Sequence, residues 1–483
     1  MIKRTIHNYI NWFFNAYLFT TLQLSFFRIL FLSSIFVVTG VPQYMDKIAN
    51  FPDGFFNPPP LFSAFFDQIP PLVFFQVSDV LIYLCLFFVL IGLFTKYAGI
   101  VGSVLVIISN GFIYSTGKID HSFLLWFALF ILSFSGWGHK LSINSILFKH
   151  KKEEPRNWTV SLFSLAIGFS FFTAGFIKFV SGWLSSSEAM LRGFFLRNYY
   201  VQNKQNYLAP YFENFDFFPF WEAGDWFTIL FEMLFVYAVF RTANFRFFTV
   251  LAVFFHGLVL LLFNIAFSSY MIIYVLFWIP VLPSSFWTKL SSISDRIKTF
   301  HLLVFGGTVF GINLGLKTME LGLIINHSYL ILFFFVALFV LFIKPSWIFR
   351  DTALGLQKKG VIRFDGVCNL CNGFVQFVIS KDNRDIFRFK TLQSNEEENE
   401  PEQETNYSTI LLEKHDLQYD KSDAFANIVR ELKSGWSYLY LTTFVPKFIR
   451  NFVYTIVAKN RYKMFGKQDS CMLPTENLKK KFL

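Results

Sequence analysis

Between residues 17 and 344 the chain returns repeatedly to apolar runs of membrane-crossing length, at about 17–40, 72–95, 98–115, 121–136, 158–180, 226–242, 246–266, 268–283, 301–317 and 328–344. A straight crossing of the hydrocarbon core takes about 20 apolar residues in one helix. Only a helix or a closed barrel can satisfy its own backbone there. These runs lack the alternation of barrel strands, so they predict a polytopic α-helical membrane domain of about ten spans. The segments 121–136 and 268–283 are short for a crossing and read equally as re-entrant or fused with a neighbour, which leaves eight or nine spans open. Composition points the same way, with 54% hydrophobic residues and 70 phenylalanines among 483 residues.

Charge then orients the domain. The net charge is +11, but the basic residues sit in short loops and along the tail, which argues against nucleic-acid binding and for topology determinants. Lys140, Lys149, Lys151, Lys152 and Arg156 share one loop, Arg241 and Arg246 flank a second, and Lys289, Arg296 and Lys298 mark a third. With ten spans these loops fall on the same side as Lys3, Arg4 and the tail. The prediction is a bacterial-type inner membrane protein with both termini cytoplasmic. The opening residues 1–16 are basic and aromatic and read as an interfacial segment without a cleavage site. The opposite-side loop 181–225 carries Arg192, Arg197 and Lys204, more than a plain connector needs.

After a linker at 346–359, residues 360–483 form a second domain of different character. Val361–Phe364 alternate as a short buried strand, Asp365-Gly366 supplies a turn, and from Cys368 the apolar positions Leu370, Phe374, Phe377 and Val378 recur at helical spacing. Cys368 therefore stands at a helix N-terminus with Cys371 one turn on. The dipole and free N–H groups there favour a thiolate, which marks Cys368 as attacking sulfur and Cys371 as resolving sulfur. Strand, turn, Cys-x-x-Cys and helix read as a thioredoxin-like dithiol site. A zinc site would need two more ligands, and only His415 and Cys471 follow, not as a close pair, so no metal is expected. Asp365 either accepts a proton or only shapes the turn, and both readings stay open. Residues 408–413 read as a second strand, 422–433 as a helix, 443–465 as a helix packed on its own sheet, and Asn395–Thr405 as a solvated acidic loop.

The run Asp365-Gly366-Val367-Cys368-Asn369-Leu370-Cys371-Asn372 resembles the signature of the DCC thiol-disulfide oxidoreductase family. Phe387-Arg388-Phe389, Leu392-Gln393-Ser394, Ser422-Asp423-Ala424, Val453-Tyr454, Ala458-Lys459-Asn460-Arg461-Tyr462, Phe465-Gly466 and Cys471 continue the likeness in order. The resemblance implies a small α/β thioredoxin-like domain with Cys368 and Cys371 as its redox pair. No proline lies between Pro401 and Pro446, so the loop facing the dithiol has to be built without the usual cis-proline, with Ser422-Asp423 as the candidate.

Ionisable groups inside apolar runs are costly and mark function by default. Arg28, Lys178, Glu232 and His256 are four such residues. For Lys178 snorkelling is the plain alternative, and for His256 a hydrogen-bonded core position. Phe172–Lys178, Trp183, Glu232, Phe255-His256, Asn264–Ser268 and Tyr270-Met271 resemble the HTTM domain, the membrane part shared with vitamin K-dependent gamma-glutamyl carboxylase. That resemblance implies Lys178 as a candidate base, with His256 as a candidate partner. Together these readings predict a membrane-bound thiol-disulfide oxidoreductase with a cytoplasmic thiol or disulfide partner. Its membrane domain is expected to bind a quinone or other lipid-soluble molecule near Lys178, Glu232 and His256. Two other readings remain: a redox-gated transporter or lipid-binding scaffold without turnover, and a carboxylase-like enzyme acting through Lys178.

Overall fold

The computed structural model describes residues 2–48, 51, 53–115, 122–148, 154–185, 188–319, 321–349, 360–392, 409–414, 417–432, 434–468 and 479–483. The acidic stretch 395–405, most of the linker 346–359, His415 and Cys471 lie outside the described residues. The chain divides into two compact units, Met1–Leu338 and Phe339–Leu483.

The first unit is helical throughout its described residues. Its principal helices are α1 (Thr21–Ser34), α2 (Leu72–Ile91), α3 (Thr95–Tyr114), α4 (Phe123–Leu132), α5 (Trp158–Val180), α6 (Phe218–Ala238), α7 (Thr242–Phe263), α8 (Ser268–Val275), α9 (Thr299–Thr318) and α10 (Gly322–Leu338). Among the described residues, seven stretches are long and apolar enough to cross a membrane: Thr21–Thr39, α2, α3, α5, α7, α9 and Ile324–Ile343. An eighth follows if Ser268–Val281 and Ser284–Ser294, bent by 102°, count as one.

The difference from ten has local causes. The run at 121–136 yields only the 10 helical residues of α4. The run at 226–242 belongs to a longer helix, α6, whose Glu222, Asp225 and Glu232 dilute its apolar character. The run at 268–283 is broken where Pro280 and Pro283 remove helical hydrogen-bond donors.

Several of these helices turn apolar stripes outward. On α2, Val73, Val77, Val80 and Leu84 recur at helical spacing and are 62%, 52%, 60% and 47% exposed. A helix facing water puts its polar residues there instead. Close packing inside the unit relies on glycine: a Cβ at Gly175 would lie 2.8 Å from the Glu232 Cβ and 3.0 Å from the Met233 N. One at Gly168 would lie 2.6 Å from a Val239 methyl. These two glycines on one face of α5 let α6 approach, as small residues do between membrane helices. Arg28, fully buried on α1, donates to the carbonyls of Trp137 (2.8 Å) and Leu141 and so anchors the turn after α4.

The second unit is built on a four-stranded sheet of order β2-β1-β3-β4. Its strands are β1 (Gly360–Phe364), β2 (Phe387–Thr391), β3 (Leu411–Lys414) and β4 (Leu417–Asp420). β1 runs parallel to β2, with Ile362 opposite Phe389, and antiparallel to β3, with Ile362 opposite Leu412. Three helices accompany it: α11 (Asn369–Lys381), α12 (Lys421–Val429) and α13 (Lys447–Phe465). Ile362, Phe364, Val375, Val378, Phe389 and Leu412 share one core with both cysteines.

The segment 443–465 is helical from Lys447, but it packs on α11 and α12 and buries only Arg450 and Arg461. This unit begins inside the last apolar helix. Tyr438 donates to the Leu341 carbonyl, and Phe349 lies against Tyr438 and Tyr440.

Gly175→Val is expected to lower stability by about 1–3 kcal/mol, the usual cost of overpacking. Gly193→Ala, with nothing within 4 Å of its Cβ position, should leave it nearly unchanged. Thermal unfolding of the purified protein in detergent measures both.

Candidate dithiol site

The site begins at the end of β1. Phe364 is buried in the core, and Asp365 follows with its carboxylate turned inward, only 1% exposed. One oxygen of Asp365 accepts from the Val367 N–H at 3.2 Å and closes the turn. The other meets Arg461 at 2.7 Å and accepts from the Tyr462 hydroxyl. Asp365 therefore shapes the turn and also pairs with a buried guanidinium on α13. An isolated carboxylate at that depth would be far too costly, and the pair with Arg461 offsets the burial.

Cys368 is the N-cap of α11 in extended geometry, and its sulfur accepts the Cys371 N–H at 3.4 Å. A helix N-terminus and an N–H donor both support negative charge on that sulfur. Cys368 is completely buried, while Cys371 is 7% exposed. Part of the cover is visible in the backbone: Lys467 bridges to Cys368, and the Gln468 N–H donates to the Val367 carbonyl at 2.9 Å. Asn372 ties the same turn down by donating to the Gly366 carbonyl at 2.9 Å.

Approach is by way of Cys371. It lines a cavity of about 540 Å³ whose other walls include Leu370, Phe374, Ile410, Phe425, Val453 and Val457. Asp365 and Arg461 contribute the polar floor. Thr409, Ile410 and Ser422 line the same cavity and are tied to α13. Tyr454 accepts the Ile410 N–H at 3.0 Å, and Arg450 donates to Ser422 and Asp423 at 3.0 Å each. Burial opposes ionisation of Asp423, but its pairs with Lys447 and Arg450 win and hold its carboxyl below the usual range.

Burial pushes the Cys371 thiol well above the ordinary value, and the neighbouring Cys368 and Asp365 add to that. Arg461 alone among the named neighbours pulls it down. Among the described residues, no group of three or more His, Cys, Asp or Glu side chains gathers where a metal ion could be held.

In the first unit the structure brings Lys178 and Glu232 together, with Nζ to the two carboxylate oxygens at 2.6 and 2.9 Å. Lys178 also lies 5.5 Å from the Trp183 ring centroid and 3.5 Å from the Ala174 carbonyl. His256, on α7, stands among Phe171, Phe267, Tyr270 and Tyr274, with Nε2 3.4 Å from the Tyr274 hydroxyl. Phe171 links the two places, because it also stacks on Phe235 of α6 at 4.2 Å.

A helix-capping Cys-x-x-Cys at the end of a central strand, beside an open apolar cavity, defines a thiol-disulfide exchange domain. The family of DCC1-like thiol-disulfide oxidoreductases matches residues 362–467. The chain is 41% identical over 138 residues to the uncharacterized protein YuxK of Bacillus subtilis, covering 26% of this chain and 93% of that protein. It is 39% identical over 122 residues to a chloroplastic DCC family protein of Arabidopsis thaliana, covering 24% of this chain and 71% of that protein. No solved structure matches. Through its C-terminal quarter the chain belongs to the DCC1-like thiol-disulfide oxidoreductase family.

Asp365→Asn or Arg461→Gln alone leaves one buried charge unpaired and is expected to cost about 3–5 kcal/mol. The double variant should lose less than the sum, which a thermal double-mutant cycle measures. Alkylation of Cys371 should be slow at neutral pH and grow only as pH rises past the ordinary thiol range, about 8.5. Since Arg461 lowers that thiol's pKa, Arg461→Gln shifts the profile further alkaline, read by mass-spectrometric localisation of the adduct.

Proposed function

We propose that this protein is a membrane-bound thiol-disulfide oxidoreductase whose second unit, a thioredoxin-like domain, exchanges electrons through Cys368 and Cys371. The observation that carries the reading is the division of labour between the two sulfurs: Cys371 faces the cavity, while Cys368 caps the helix beneath it. The thioredoxin-like reading is supported by the sheet order and by β1 parallel to β2 with β3 and β4 antiparallel.

The roles expected from sequence are exchanged in this proposal. With the pair oxidised, a partner thiolate enters the cavity and attacks the Cys371 sulfur. A bond forms between that partner sulfur and Cys371, the Cys368–Cys371 bond breaks, and Cys368 leaves as a thiolate. A leaving sulfur whose anion is supported departs faster. The partner's second thiolate then attacks the partner sulfur of the mixed disulfide, which forms the partner's disulfide and releases Cys371 to take up a proton. Two electrons pass from partner to protein. Asp365 and Arg461 act as positioning residues, holding the turn and tempering the Cys371 thiol.

The membrane reading rests on the apolar helices and their outward apolar stripes. Placing both chain ends and the basic loop 137–157 on one side takes α4 and α6 as crossings besides those seven and the bent pair, and we take that side as cytoplasmic in a bacterial-type inner membrane. We take the first unit as HTTM-like and its ligand as a quinone or other lipid-soluble molecule near Lys178, Glu232 and His256. The residues fit a quinone carbonyl poorly as they stand, because the Lys178 ammonium is already engaged by both Glu232 oxygens and the Ala174 carbonyl. No step is therefore derived through it.

Trapping discriminates the order of attack. A Cys368→Ser variant incubated with partner proteins in their disulfide form should accumulate mixed disulfides on Cys371, as its sulfur displaces one partner sulfur as a thiol, and Cys371→Ser should accumulate few. Adducts found on Cys368 alone would reverse the assigned roles, and adducts on neither would end the exchange reading.

A further inference from the structure

Helix α13 is turned inside out for a helix in water. Its two buried residues are Arg450 and Arg461, both pinned by hydrogen bonds to Ser422, Asp423 and Asp365. Its outer face carries Phe448, Phe452 and Ile456, which are 74%, 67% and 48% exposed, with Ile449 and Val453, 41% and 56% exposed, on the edge it shares with the Cys371 cavity. These positions fall within one side of the helix at 100° per residue, and Lys459 and Lys463 continue that side one and two turns further on. From Lys447 to Gln468 there are six basic residues and no acidic one. An apolar first half with a cationic second half on one face is the pattern of a helix lying in a membrane interface.

We propose that this face of α13 is a docking surface for an anionic lipid bilayer, with Phe448 and Phe452 entering the acyl boundary and Lys459, Lys463 and Lys467 meeting headgroup charge. The occupant is argued from two observations. First, the unit that carries α13 also contains Phe339–Ile343, the end of the last apolar stretch, bonded to it through Tyr438 and Leu341. Phe342 and Ile343 there are 77% and 63% exposed. A bilayer that takes up Ile324–Ile343 therefore ends within this unit. Second, the lysines on the same face repel a second copy of α13 and attract anionic lipid, at about 1 kcal/mol for each basic residue near the surface.

The consequence reaches the dithiol. Ile449, Val453 and Val457 of α13 form one wall of the Cys371 cavity. Docking the outer face of that wall on lipid sets the cavity mouth close to the membrane surface and makes lipid contact a condition on which partners reach Cys371. This inference rests on the membrane-bound reading proposed above.

The test uses the full chain in nanodiscs, with the photo-crosslinker p-benzoylphenylalanine placed at Phe452 and, in separate samples, at Phe448 and at the exposed Leu84 of α2. Mass spectrometry of the irradiated protein is expected to find phospholipid adducts at Phe452 or Phe448 in phosphatidylglycerol-containing discs. Reversing Lys459, Lys463 and Lys467 to Glu should lower those adducts at least about fivefold, while adducts at Leu84 stay unchanged. Adducts at Leu84 with none at either α13 position, or with protein adducts only, overturn the docking surface and leave the membrane reading standing. Absence of lipid adducts at all three positions overturns both.

Discussion

The second unit depends on one buried ion pair. Asp365 leaves the end of β1 just before the dithiol turn, and Arg461 comes from the last turns of α13, 96 residues later. Their contact at 2.7 Å ties the start of the domain to its last helix. It fixes the turn from which Cys368 caps α11, holds α13 beside the Cys371 cavity, and supplies a cation that draws that thiol's pKa down. Arg450, eleven residues earlier on the same inner face, repeats the device by gripping Ser422 and Asp423 at the start of α12. α13 is thus attached by guanidinium clamps, with only modest burial of its apolar side chains. That method of attachment leaves those apolar side chains free to face outward.

The first unit meets ionisable residues with a related economy. Arg28 spends its guanidinium on two backbone carbonyls and locks the turn around Trp137 and Leu141, which is a structural use. Lys178 and Glu232 neutralise one another where Gly175 lets α5 and α6 touch. Pairing and a close glycine contact belong together here, since a larger residue at 175 would separate the helices that bring the charges within reach. His256 sits in an aromatic setting, with Phe171 between it and α6.

Much of this was legible in the sequence wherever the signal is local. The strand-turn-helix around Cys368 and Cys371 is written in three consecutive patterns, and α11 begins where its apolar periodicity begins. The apolar runs likewise foretold most of the long helices. Signals that depend on distant partners were not legible. β2 and β4 are five- and four-residue strands that acquire their identity from β1 and β3. Arg461 lies in the quoted block Ala458–Tyr462, yet nothing near it in sequence marks it as the partner of Asp365. The length of α6 is hidden because Glu222 and Asp225 interrupt the hydropathy before the helix starts to look like a span. The accessibility of the two sulfurs was also out of reach, since the cover over Cys368 comes from Lys467 and Gln468, nearly a hundred residues away.

The two sulfurs show why local and tertiary effects have to be weighed together. Position in the helix favours charge on Cys368, and that is what spacing alone can report. Packing puts the opening at Cys371 and burial raises its thiol, while Cys368 stays covered and caps the helix. A sulfur that is reachable but reluctant to ionise serves better as the point of attack than as the attacker, provided its neighbour departs readily. In the proposed exchange this arrangement suits attack at Cys371 and departure of Cys368, along an approach that α13 lines.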